Sequence, residues 1–80
     1  MRVNVHVREK TILVQCGDGT QKVRWLASVG FARYDHNNGL ELGQPILVRT
    51  EDGAEVSMEA VVREAMQDDG HVWVLSKEDA

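Results

Sequence analysis

The side chains able to carry chemistry are few and poorly spaced for it. Cys16 is the only cysteine, and His6, His36 and His71 are the only histidines. A cysteine nucleophile needs a base in reach and an electropositive, partly open setting that favours the thiolate. Cys16 continues the alternation of Ile12 and Val14 and points to the buried side of its strand, whereas His6 alternates with Val5 and Val7 and points to the wet side. The two then lie on opposite sides of a sheet, and Cys16 reads as a small buried hydrophobe. No two histidines share the i, i+4 or short-loop spacing of a zinc site. His6 and His71 become neighbours only if the first and last strands pair, and His36 falls in a loop away from both.

Two glycine-bearing segments invite a ligand reading and fail it. Gly17-Asp18-Gly19-Thr20 precedes a helical pattern, and helix N-termini favour anions. It lacks the Lys-Ser/Thr pair of a nucleotide-binding loop, however, and Asp18 would repel phosphate. Asp35-His36-Asn37-Asn38-Gly39 offers oxygen donors without the twelve-residue order of a calcium loop. The expectation is a protein that is not an enzyme, with no catalytic residue, no cofactor and no metal.

The elements that would position any surface must fit in 80 residues. A chain of this size buries only about 60% of its unfolded surface, enough for one sheet packed on one helix. The aromatic content is Trp25, Trp73, Tyr34 and Phe31, so Val, Leu and Ile must build the core. A lone cysteine allows no internal disulfide, which suits a reducing compartment. The N-terminal residues carry no signal pattern. The longest nearly apolar stretch, Trp25 to Ala32, falls far short of the roughly 20 residues that span a bilayer. These features predict a soluble cytoplasmic or nuclear protein with no membrane partner, and the net charge of −4 argues against nucleic acid.

Val3, Val5 and Val7 alternate with Arg2, Asn4, His6 and Arg8, the pattern of a half-buried strand. A second strand over 11–16 pairs with it around Glu9 and Lys10. The register sets Val7 opposite Ile12, Val5 opposite Val14 and Val3 opposite Cys16, because a one-residue slip would scatter the apolar face. Thr20 is the expected N-cap of a helix over 21–34 that turns Val23, Leu26, Ala27, Gly30, Phe31 and Tyr34 to the sheet. Asp35 to Gly39 stops it. A third strand runs from Ile46 to Thr50, a short one covers Glu55-Val56, and Ser57 caps a helix from Met58 to Met66 stapled by Val56 and Val61. A last strand runs from His71 to Ser76. Residues 1–76 then form a single domain, with 77–80 a frayed tail.

This order is the plan of a ubiquitin-like β-grasp: α+β, a mixed four- to five-stranded sheet packed on one main helix plus a short second helix, with the first and last strands central. The run from Ile46-Leu47-Val48-Arg49-Thr50-Glu51-Asp52-Gly53 through Asp68-Asp69-Gly70 to Val72-Trp73-Val74-Leu75 resembles the second half of CIDE-N domains and is similar to Phox-and-Bem-type domains. What the resemblance implies is an adaptor that oligomerises head to tail, the basic face of one copy meeting the acidic face of the next. Ubiquitin-like conjugation is not implied, since the chain ends Lys77-Glu78-Asp79-Ala80 in place of a diglycine.

The charge distribution fits such pairing. Residues 1–40 sum to +3 and residues 41–80 to −7. Basic candidates are Arg2, Arg8, Lys10, Lys22 and Arg24, and acidic candidates are Glu51, Asp52, Glu55, Glu59, Asp68 and Asp69. Opposed patches of this kind steer association and fix orientation. The partner would be another protein or a second copy of the chain. The rival expectation is a docking module read through an apolar patch of Leu13, Trp73 and Leu75 on the sheet's second face. Trp25 sits beside the core stripe of its helix, at a boundary.

Overall fold

A computed structural model describes residues 1–34 and 43–79. The chain is α+β, in the order β1 (Arg2–Val7), β2 (Lys10–Gln15), α1 (Val23–Tyr34), β3 (Leu47–Thr50), β4 (Glu55–Val56), α2 (Val62–Ala65) and β5 (Gly70–Leu75). Its mixed five-stranded sheet has the order β2-β1-β5-β3-β4, with β1 and β5 parallel and the other pairs antiparallel. The helix stop expected at Asp35 to Gly39 lies outside the described residues, and so does His36.

The hairpin register is shifted by two residues from the expected one. Val3 faces Val14, Val5 faces Ile12 and Val7 faces Lys10, so the turn centres on Arg8 and Glu9. A shift of two preserves side-chain parity, and the same valines stay on the buried face. Local backbone decides between the two: Arg8 takes the left-handed region at φ 52. Cys16 then faces Met1, its N–H donating to the Met1 carbonyl at 2.8 Å.

One face of the sheet makes the core. Val3, Val5, Val7, Val14, Cys16, Val48, Val72 and Val74 pack against Val23, Leu26, Ala27 and Phe31 of α1, with Val62 and Met66 closing one end. Tyr34 is half-buried against this cluster. Gly30 lets the helix lie close to β1. A Cβ there would stand 2.7 Å from Val5 Cγ1, nearer than any carbon pair tolerates.

Both helix starts differ from expectation for one reason. The Thr20 hydroxyl donates to Asp18 Oδ1 at 3.0 Å, and α1 begins at Val23 with no cap from Thr20. Ser57 closes a turn, accepting the Glu59 N–H at its hydroxyl and the Ala60 N–H at its carbonyl, and the helix after it shrinks to Val62–Ala65. The unpaired N–H groups at the two starts are met by backbone instead. Val23 and Arg24 donate to Ala60 and Met58, while Val62 and Arg63 donate to Gln21 and Gly19, all within 3.0 Å. Two chain segments satisfy each other, so neither needs a side-chain cap. The staple expected between Val56 and Val61 has no helix end to close.

The strands shift slightly at their ends. β3 begins at Leu47 and leaves Ile46 49% exposed, and β5 runs from Gly70 to Leu75. The segment expected as a tail is described as far as Asp79, whose N–H donates to the Ser76 carbonyl and whose carboxylate accepts from Ser76 and Arg8. No helix of the described residues is long and apolar enough to cross a membrane.

Candidate interaction face

The sheet's second face has no described element lying over it. The pleat and the registers place one side chain from each strand in a row across it: Thr11, His6, Trp73, Arg49 and Glu55. Leu47 and Leu75 face each other one step along, and Leu13, Asn4 and His71 form the row on the other side. Trp73 is therefore the centre of the open face, on the central strand pair. It is half-buried, as are Leu47 and Leu75.

His6 is bound on three sides. Its ring stacks on Trp73 with centroids 4.3 Å apart and planes 9° from parallel. Its Nε2 lies 2.8 Å from His71 Nδ1, one nitrogen donating and the other accepting, and its Nδ1 lies 3.1 Å from the Thr11 hydroxyl. Removal from water depresses the His6 pKa, the neighbouring His71 depresses it further, and Glu51 pulls the other way. Beside Trp73 and Leu75, Arg49, Thr50, Glu51 and Gly53 border a shallow depression of about 270 Å³.

The expected apolar patch is only partly assembled. Trp73 and Leu75 lie on one strand and gain Leu47. Leu13, 44% exposed, stands on the edge strand with β1 and its polar Asn4 and His6 between it and Trp73. Trp25, 39% exposed, belongs to α1 on the opposite side of the sheet.

Three of the basic candidates, Arg2, Lys22 and Arg24, meet acidic candidates of the same chain. The Arg2 guanidinium reaches both Asp69 oxygens at 2.9 Å, and the Arg2 N–H donates to Asp68 Oδ1 at 2.8 Å. Lys22 and Arg24 both bond Glu59, Lys22 at 2.9 Å. Arg8 pairs with Asp79 at 3.1 Å and approaches Glu78 at 3.8 Å. The Lys10 ammonium sits 5.4 Å over the Tyr34 ring. Asp52 serves its own turn, accepting from the Thr50 hydroxyl and the Ala54 N–H, which holds its carboxyl below the usual range. Glu59 is held low by Lys22 and Arg24, and Asp68 by the Arg2 N–H. Glu55 lies opposite Arg49, and Glu51 is exposed at the end of β3.

Arg49 and Leu47 belong to the face although neither was a candidate from sequence. Their alternation with Val48 would have put them on one side of a strand. Only the β3–β5 register brings them beside Trp73 and Leu75. Cys16 and His6 do lie on opposite sides, and burial pushes the Cys16 thiol up. Among the described residues, no group of three or more His, Cys, Asp or Glu gathers to hold a metal ion. The sequence matches no known family model and no curated protein.

Proposed function

We propose that this chain is a ubiquitin-like β-grasp interaction domain that docks a protein partner on the outer face of its sheet, with no catalytic role. The β-grasp reading is supported by the strand order, with parallel β1 and β5 central and one long helix across the inner face. The docking reading rests on one observation: a tryptophan stands at the centre of a face that no described element covers, flanked by Leu47 and Leu75 and by Arg49. Large aromatic side chains beside an arginine are the usual anchors of protein interfaces. Among the described residues Arg49 forms no ion pair with a carboxylate. The partner that fits therefore presents an apolar side chain to Trp73 and Leu75 and a carboxylate to Arg49.

Charge-paired head-to-tail assembly would have to exchange intramolecular contacts for intermolecular ones. Arg2, Lys22 and Arg24 are already bonded to Asp69 and Glu59. Exposed pairs of this kind are weak, so the exchange returns little energy.

The test is comparative capture from a lysate at high salt, with wild type, Trp73→Ser, Leu75→Ser, Arg49→Glu and, on the helix side, Trp25→Ser. A partner held by wild type and by Trp25→Ser but lost from the three outer-face variants supports the reading. Equal capture by all five, or none by any, sinks it.

A further inference from the structure

We propose that His6 and His71 form a proton switch in the outer face: the pair keeps its contact with one bound proton and opens when a second binds, so that His71 swings away and Trp73 is left against a charged imidazolium. The proposal rests on the docking reading for its biological use and on the geometry of the free protein for its chemistry.

The hydrogen-bond inventory limits what the pair can hold. His6 Nε2 and His71 Nδ1, 2.8 Å apart, share one hydrogen. With no added proton, one ring donates to the other, and the Thr11 hydroxyl turns to donate to or accept from His6 Nδ1 at 3.1 Å. A first proton fits without loss. His71 carries it and donates from Nδ1 to His6 Nε2 in a charge-assisted hydrogen bond, while His6 stays neutral and donates from Nδ1 to the Thr11 hydroxyl. The neutral His6 ring keeps its flat contact with Trp73 at 4.3 Å, and only a second proton, on His6, turns it into a cation–π contact. A second proton puts two N–H groups nose to nose and two positive rings with centroids 5.1 Å apart. The contact must break. His6 is pinned by Trp73 and Thr11, while His71 is exposed and makes no other side-chain hydrogen bond among the described residues.

The surroundings set few competing charges. From β2 the face offers Thr11, Leu13 and Gln15, all uncharged. From β1 it offers Arg2, already held by Asp69, and Asn4, whose amide donates to the Asp69 and Gly70 carbonyls. From β5 it offers His71 and Trp73. From β3 and its end come Arg49, in line with Trp73, and Glu51, which favours the charged form of His6, and from β4 comes Glu55, opposite Arg49. Among the described residues Glu51 is the carboxylate that favours a charged His6, which supports one added proton better than two.

For an apolar partner side chain, a charged imidazolium under Trp73 must be stripped of water on docking, so acid releases such a partner. The pair itself is tested without any partner, by following both imidazole rings by NMR through an acid titration of the whole chain. The same titration is followed by Trp73 emission in a Trp25→Phe background. Expected are two separate steps for the pair in place of one, with loss of the nitrogen–nitrogen coupling across the hydrogen bond and quenching of Trp73 at the second. His71→Asn should leave one step on His6, and His6→Asn should abolish the change in Trp73 emission. Independent single titrations, unmoved when the other histidine is replaced, would overturn the switch. Failure of docking alone would leave the two steps in place.

Discussion

Arg2, at the start of the first strand, closes on Asp69, at the turn into the last, with both carboxylate oxygens 2.9 Å from one guanidinium nitrogen. The two lie 67 residues apart in sequence and belong to the halves of opposite charge. The parallel pairing of β1 with β5 brings them together, Val3 facing Gly70. The charge split along the chain is thus folded back on itself at this point.

From that pairing we expect native mass, measured by light scattering across protein concentration, to stay that of one chain at low and high salt. Arg2→Glu should change it at neither. Mass that grows at low salt, reverses at high salt and is abolished by Arg2→Glu alone would instead establish head-to-tail assembly.

Gly30→Ala should destabilise the fold despite the better helix propensity of alanine. The added methyl meets Val5 Cγ1 at 2.7 Å inside a packed core. Overpacking of this kind costs about 1–3 kcal/mol, against a propensity gain of about 1. In a Val5→Ala background the clash is removed and the same substitution should become neutral or stabilising. Urea midpoints of the four proteins complete the cycle.

Acid should weaken the fold in two windows. His6 has a folded pKa below its ordinary value near 6.5. The unfolded chain therefore takes up a proton more readily, and stability falls as pH drops from about 6.5 towards the folded value. Asp52, Glu59, Asp68 and Asp79 have depressed folded values, so their contribution is present above the usual carboxylate range and is lost as pH falls through the folded values. Thermal midpoints against pH should show both declines, and His6→Asn should remove only the upper one.

Cys16 should resist a thiol reagent in the native state and react in urea. It is fully buried, and burial raises its pKa, so little thiolate is present or reachable at neutral pH. Rapid native labelling would show that the β1–β2 end of the core opens locally.

The sequence alone determined which side chains face inward. Val3, Val5 and Val7, the Val23–Leu26–Ala27–Gly30–Phe31 stripe and the Val72–Val74 pair were legible because periods of 2 and 3.6 are properties of local backbone geometry. It also placed Cys16 and His6 on opposite sides, by parity. It left the hairpin register two residues off, since both registers obey the same parity and only the turn conformation at Arg8 separates them. Thr20 and Ser57 were the right residue types for caps, but the helix starts found backbone carbonyls on each other's segments, a long-range match that no local signal carries. The candidate face followed the same division. Trp73 and Leu75 were visible on one strand, whereas the stack of His6 on Trp73, the His6–His71 contact, the arrival of Arg49 and the isolation of Leu13 all depend on which strand lies beside which. Side-chain direction is set residue by residue along the chain. Neighbours across a sheet are set by pairings between distant segments, and those only the tertiary structure decides.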